Sequence, residues 1–348
     1  METTEPIGID VQPVTSWLES NIAGSVSPFA FSLITGGHSN LTYRVTDANG
    51  ADYVLRRPPL GMVLSTAHDM NREFRAISAA GKTSVPVPKA LAICNDESVN
   101  GAPFYVMNHV EGVVIHDVET LDTAIPSHDT RKTIGYSLVS ALAHLHTADP
   151  VAIGLGDLGR TEDYIGRQLK RWSTQWENSR TRDLPDMDTA FQMLLDAKPP
   201  QRYSGIVHGD FRLGNCLVNP STGQVAAILD WELCTLGDVM ADVGYLLNNW
   251  VEVGETPARG ATEFPTSAGG FITRDELVGA YSELTGFPVE NIQYYQAFQH
   301  WRMGAIVEGV LARYLKGVMA DDTVDTDSYR VQVDEIAAEA VRLMRTLG

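Results

Sequence analysis

Two short stretches hold residues whose types and spacing could do chemistry: His208, Asp210 and Asn215 in IVHGDFRLGNCLV, and Asp230 in VAAILDWE. The pattern is H-x-D-x-x-x-x-N, with a second acid 20 residues after Asp210. Phosphoryl transfer asks little covalent work of a protein. It needs a carboxylate to orient a hydroxyl and take its proton, oxygen ligands for magnesium, and donors that hold a nucleotide. Magnesium accepts one or two carboxylates and leaves its other positions to water and phosphate. The spacing therefore predicts Asp210 facing an acceptor hydroxyl, with Asn215 and Asp230 facing the metal. Two adjacent strands joined by the 219–224 turn would bring the three together. The competing reading makes Asp210 a turn cap and Asn215 an ordinary left-handed residue; the joint spacing argues against it. His208, leaving a buried strand, is expected to brace backbone.

Elements able to position these residues are legible along the chain. DVQPVTSWLESNI places Val11, Val14, Trp17, Leu18 and Ile22 on one stripe and predicts a helix. FAFSLITGG and NLTYRVTDANGADYVLRR read as three strands, the last two joined at Asn49-Gly50. MNREFRAISAA reads as a helix stopped by Gly81, and VPVPKALAIC and APFYVMNHV as two further strands. A small antiparallel lobe over residues 1–112 is expected, followed by a larger helical lobe over 113–348 with a cleft between them. In the second lobe DTRKTIGYSLVSALAHLHTAD and IQYYQAFQHWRMGAIVEGVLARYLKG read as long helices. The segment 254–270, with its Gly and Pro residues, is expected to be the most mobile part.

Composition narrows the function classes. The formal net charge is −18, from 26 basic and 44 acidic residues. Such a balance opposes binding to nucleic acid or an anionic membrane surface, and no run is long and apolar enough to span a bilayer. Cys94, Cys216 and Cys234 are too scattered for a zinc site or disulfide framework, which suits a cytoplasmic location. The first 112 residues hold a net −4 and the remainder −14, so an acidic cleft for a cationic substrate stands beside the plainer reading of solubility. AISAAGKTS imitates a phosphate-binding loop, but Ala76 replaces the leading glycine and the motif follows a helix rather than opening one. It is set aside.

The wording HGDFRLGN…ILDWE…LGD…AD resembles the aminoglycoside phosphotransferase and choline kinase family, and most closely the kinase-like domains found attached to acyl-CoA dehydrogenases. The likeness runs from about Leu33 to ARYLKG. It implies a protein-kinase-like α+β fold, with Asp210 as catalytic base, Asn215 and Asp230 as magnesium ligands and ATP as donor. By the same resemblance TGGHSN, with Ser39 and Asn40, covers the phosphates. Arg56 stands where the family carries its phosphate-contacting base, Glu73 is its helix partner, and Met107, Asn108 and His109 form the adenine-holding hinge. Asp242 is expected to accept backbone N–H groups of the catalytic loop. The sequence departs from the commoner wording at Val239-Met240 and at Asn108.

Gly209 stands where protein kinases carry an arginine, and only 11 residues separate Asp230 from Asp242, too few for a long activation segment. A small-molecule hydroxyl acceptor is expected. Glu232, Asp238, Glu252, Glu255 and Glu308 could draw an aminoglycoside or amino alcohol. Trp172, Trp176, Trp250, Trp301 and Tyr245 could instead wall a site for a hydroxyacyl compound. Three functions stay open: a magnesium- and ATP-dependent small-molecule kinase, a nucleotide-binding module without transfer, and a protein-modifying kinase of the same fold.

Overall fold

The computed structural model describes residues 6–34, 40–61, 69–257, 264–317 and 325–347. Helix α1 (Val11–Asn21) leads into β1 (Ala30–Leu33), β2 (Leu41–Thr46) and β3 (Asp52–Arg57). Then come α2 (Met70–Ala80), β4 (Ala90–Cys94), the short α3 (Glu97–Asn100) and β5 (Phe104–Asn108). The five strands form one antiparallel sheet in the order β1-β2-β3-β5-β4. Its hairpin at Asn49-Gly50 is tied by Asp47, whose Oδ1 accepts the Asn49 and Ala51 amides, while Gly50 takes φ +80°. Strand alternation splits the sheet residues between two cores. Leu55, Phe104 and Val106 pack with Val14, Leu18 and Ile22 of α1. Val54, Tyr105 and Met107 point the other way, toward α2 and the second lobe. That second face becomes the roof of the cleft.

The larger lobe begins with β6 (Val113–Val114), α4 (Val118–Ala124) and α5 (His128–Thr147). It continues through α6 (Tyr164–Ser179), α7 (Pro185–Asp196), β7 (Ser204–Val207), β8 (Cys216–Val218), β9 (Val225–Ile228) and β10 (Thr235–Asp238). The chain ends in α8 (Met240–Asn248), α9 (Arg274–Thr285), α10 (Ile292–Leu315) and α11 (Thr326–Arg345). Strands β8 and β9 pair antiparallel, as the turn predicted, and β6 joins them. The pairing of β10 with β7 was not foreseen, because it joins segments about 30 residues apart with no turn signal between them. Helix α10 is buried along most of its length, from Tyr294 to Ala312.

Two local expectations change. Gly81 does end α2, yet it sits at φ −64° in the right-handed region rather than as a left-handed cap. Of the 254–270 segment, residues 258–263 lie outside the described set. Its later part is packed rather than loose: a 3-10 turn spans Pro265–Ala268, and Thr266 is buried with its hydroxyl oxygen accepting the Val251 amide.

Candidate active site

The catalytic-loop residues are held by a carboxylate below them. Asp242, fully buried at the start of α8, accepts the His208 amide at 2.6 Å and the Gly209 amide at 2.9 Å. His146 Nε2 lies 3.2 Å from the same carboxylate and its Nδ1 is 2.7 Å from the Tyr281 hydroxyl. Burial works against this charge, but the His146 contact and the Gly209 amide outweigh it and keep the carboxyl below its usual range. Gly209 has φ +87°, and a side chain there would meet Leu233 at 2.9 Å, so only glycine fits the turn. His208 Nε2 sits 2.9 Å from the Leu229 carbonyl, which can only accept. That bond places the proton on Nε2 and leaves Nδ1 bare to receive the Asp210 amide at 3.3 Å. His208 is a brace, linking the loop to the end of β9.

Asp210 and Asn215 then meet directly. Asn215 Nδ2 donates to the Asp210 carbonyl at 2.8 Å and to its Oδ2 at 2.7 Å, fixing the carboxylate's rotation. The Asn215 carbonyl accepts the Leu229 amide at 2.8 Å, which sets Asp230 beside it. Asp230 adopts φ 62° and ψ 64°, a left-handed conformation that Asp tolerates better than most residues. The magnesium donor set fits: the amide nitrogen of Asn215 is spent on Asp210, so its oxygen is left to coordinate, with a carboxylate alongside. Among the described residues no group of three or more His, Cys, Asp or Glu side chains could hold an ion alone. Any metal here must complete its shell from phosphate or water, which is magnesium's habit.

The small lobe reaches the same point. Arg56 on β3 donates from Nη2 to Asp230 Oδ1 at 2.6 Å, and its Nε pairs with Glu73 Oε2 at 3.0 Å. Glu73 is 1% exposed and also accepts Asn40 Nδ2 and the Tyr105 hydroxyl, each at 3.0 Å. Desolvation raises Glu73, opposed first by Arg56 and then by Tyr105. Asn40 thus supports Glu73 rather than facing open space, and Ser39 lies outside the described residues. Arg56 joins both lobes in one charge network.

Between the lobes lies a cavity of about 390 Å³. Val54, Ile77 and Met107 line it from the small lobe, Leu217 and Ile228 from the large one, and Arg56 and Asp230 stand at its polar end. Asn108 and His109 line it too, but their amides are already engaged, with the Lys89 and Asp52 carbonyls. The Asn108 side chain clamps Lys89 and His109, so its departure from the expected acid serves the chain itself. The Val110 amide makes no hydrogen bond to the described residues, and Val110, one residue after the hinge read from the sequence, also lines the cavity.

Residues 30–268 match the sequence profile of the phosphotransferase enzyme family, APH. The chain belongs to that family. Among the chain's relatives, acyl-CoA dehydrogenase family member 10 of Mus musculus is 36% identical, the match covering 86% of this chain and 28% of that protein. Acyl-CoA dehydrogenase family member 11 of Gallus gallus is 30% identical over 94% of this chain and 41% of its own. The chain spans about a quarter to two fifths of these relatives' lengths. A solved structure from Ralstonia eutropha, named a "putative aminoglycoside phosphotransferase", superposes with a TM-score of 0.82 at 31% identity and covers 97% of this chain and 98% of that one. Amicoumacin kinase hAmiN, solved with AMP-PNP and Ca²⁺, shares the fold at a TM-score of 0.60 and 16% identity, with 97% of each chain covered. The architecture is protein-kinase-like.

The structure also gives internal partners to most of the residues suggested for the acceptor. Asp238 is buried on the Tyr295 hydroxyl and the Met240 amide, and burial pushes its pKa up to about 6. Glu308 is fully buried against Thr181 and Arg182. Glu255 pairs with Arg274, whose amide Glu252 accepts. Four of the five acids are therefore spent on holding the lobe together. The fifth, Glu232, is coupled to the carboxylates of the cleft: burial, then Asp230, raises its pKa to about 7, and its Oε2 is buried without a hydrogen bond to the described residues. Of the aromatics, Trp250 and Trp301 are core residues bonded to the Ile272 and Met187 carbonyls. Trp172 and Trp176 are buried on α6. Only Tyr245 among the five lines a cavity beside the catalytic loop.

Arg302 was missed. It is buried on α10 and donates to the Gly209 carbonyl at 3.1 Å and to Gln299 at 2.9 Å, while Gln299 in turn donates to the Ala241 carbonyl. An arginine in the middle of a largely apolar helix, far from the Arg313 of its last turn, was the available signal. Asp242 carries the sharpest stability prediction at this site. Asp242→Ala would strand two buried backbone N–H groups and leave His146 without its acid, a loss expected to cost about 3–5 kcal/mol. Urea unfolding at neutral pH measures it. Because the folded carboxyl is held low, this stabilisation is complete above the unfolded aspartate pKa of about 4. It fades as pH falls through the folded value. The deficit of Asp242→Ala should therefore shrink in acid.

Proposed function

We propose that the chain is a magnesium- and ATP-dependent kinase that moves the γ-phosphoryl group of ATP onto a hydroxyl of a small molecule. One observation carries the reading: Arg56, Glu73 and Asp230 form a single charge network across the cleft, at the end of a nucleotide-sized cavity, with Asp210 and Asn215 beside it. The apolar faces from Val54 and Leu217 suit a flat base, with Val110 N–H as its donor. Arg56, fixed by Glu73, would neutralise phosphate. Asn215 and Asp230 would hold magnesium, which when bound offsets charge on the phosphate oxygens. Asp210, its rotation set by Asn215, would orient the acceptor hydroxyl and take its proton.

Two features favour a small acceptor over a protein. The segment from Trp231 to Asp238 is wholly taken up by a 3-10 turn and β10, which pairs with β7, so no extended activation loop exists there. The family's relatives and structural neighbours point the same way, and the acyl-CoA dehydrogenase names attached to the former favour a hydroxyacyl compound over an aminoglycoside. The three cysteines are buried free thiols, which suits a cytoplasmic setting. No nucleic acid or membrane partner is part of this reading.

The test is acceptor-stimulated ADP release, run with aminoglycosides, amino alcohols and hydroxyacyl compounds, with and without a chelator. Magnesium is expected to be required, and at least one acceptor to raise turnover well above background hydrolysis. Transfer of labelled phosphate to a protein while every small acceptor fails would overturn the reading.

A further inference from the structure

Against the catalytic loop, at Arg212–Gly214, lies a second cavity of about 300 Å³, lined by Ile115, Leu213, Tyr245, Phe264 and Met303 together with Arg212 and His116. The chain carries 44 acidic residues, yet among the described residues lining this cavity there is no Asp or Glu. Arg212, two positions after Asp210, faces this cavity and not the nucleotide one. Its nearest carboxylate among the described residues is Asp210 Oδ1, 3.7 Å from Nε, too long for a hydrogen bond. The guanidinium is thus held by the loop but not spent.

Gly214 makes room for it. A side-chain carbon at position 214 would stand 2.7 Å from Arg212 Nη1 and 3.4 Å from His116 Nδ1, so the two nitrogen groups converge over a glycine that any side chain would fill. Burial, then the Arg212 charge, pulls the His116 pKa down, which leaves the imidazole a neutral partner and Arg212 the single cation of the pair.

Building on the kinase reading above, we infer that Arg212 and His116 form the anion-reading end of the acceptor site, which takes a hydroxylated aliphatic carboxylate. The carboxylate pairs with the planar fork of Arg212, an arrangement suited to two parallel hydrogen bonds. The apolar chain lies on Leu213, Tyr245, Phe264 and Met303, and the hydroxyl reaches Asp210. In transfer, the acceptor oxygen forms a bond to the γ-phosphorus as the bridging oxygen leaves with ADP. The hydroxyl proton passes to Asp210 and then to water. Among the described residues lining the cavity a cationic aminoglycoside or amino alcohol finds no carboxylate, and it meets Arg212 instead.

The experiment compares aliphatic hydroxy acids, differing in chain length and hydroxyl position, with their neutral amides and with amino alcohols, scoring kcat and KM by ADP release. A hydroxy acid should exceed its amide in kcat/KM by about 10–100-fold, the worth of hydrogen bonds to a charged group. In Arg212→Gln that ratio should collapse toward one through a rise in KM for the acid, and Arg212→Lys should restore part of it. Nucleotide affinity, measured by calorimetry on the same variants, should be unchanged and also reports folding. Equal use of acid and amide, or preference for amino alcohols, overturns the anion site while phosphoryl transfer stands. So does a fall in kcat of equal size for every acceptor in Arg212→Gln, which would place the arginine on the transferred group. Magnesium-ATP binding with no acceptor response of any kind would instead remove the kinase reading itself.

Discussion

Replacing Asp210 by asparagine is expected to lower phosphoryl transfer by about 10²–10⁴-fold, the range typical of losing a general base. Magnesium-ATP affinity should stay close to that of the parent protein. The geometry supports this separation. Asp210 is hydrogen-bonded to Asn215, and its ion-pair partner among the described residues is Arg212, so it makes no ion pair within the Arg56–Glu73–Asp230 network. An asparagine oxygen can still accept from Asn215 Nδ2, so the loop should keep its shape while the proton acceptor is lost. Turnover and nucleotide calorimetry on the same preparation decide the matter. Full activity in Asp210→Asn would sink the kinase assignment.

The loop itself was readable because its constraints are local. H-x-D-x-x-x-x-N fixes which side chains can converge, and a short turn between β8 and β9 fixes where the second acid lands. The sheet was readable for a similar reason. Alternation in YVLRR and FYVMN assigns each residue to a face, and Asn49-Gly50 closes the hairpin. What escaped the sequence was mostly tertiary. Arg302 lies 93 positions from Gly209, and only folding brings its guanidinium to that carbonyl. The acids nominated for a cationic acceptor were ambiguous for the same reason: a glutamate bound for Arg182 or Arg274 looks no different in sequence from one facing a cleft. The hinge shows a finer limit. Which amides are used within the chain depends on register against β3 and on the Lys89 carbonyl, and those of Asn108 and His109 are so used.

Charge at the two ends of the site follows from this placement. The large lobe's excess of acid belongs to its internal ion pairs and its solvent face, whereas the cavity beside the catalytic loop presents arginine and histidine. Net charge alone therefore does not say which charge the cavity beside the catalytic loop presents.

Asp230→Asn is expected to behave differently from the Asp210 variant, because in the proposed reaction Asp230 is a ligand of the metal. Even a group one step removed from a metal costs about 10–100-fold in metal affinity when lost, so losing a direct carboxylate ligand should cost at least that much in magnesium-dependent nucleotide binding. Turnover should fall with it. Raising magnesium should recover part of both losses, which it cannot do for Asp210→Asn. Asparagine is the informative replacement, since Asp230 occupies a left-handed conformation that asparagine also tolerates. Alanine would add backbone strain to the loss of charge. The Arg56–Glu73 ion pair remains in the variant, so Arg56 keeps one of its two carboxylate partners. Asn215→Ala should fall between the two aspartate variants, since it removes a metal oxygen and also frees the Asp210 carboxylate to rotate. Nucleotide calorimetry at two magnesium concentrations, beside turnover, separates all three. Equal loss of nucleotide affinity in Asp210→Asn and Asp230→Asn, with both proteins folded, would refute the division of labour between base and metal ligand.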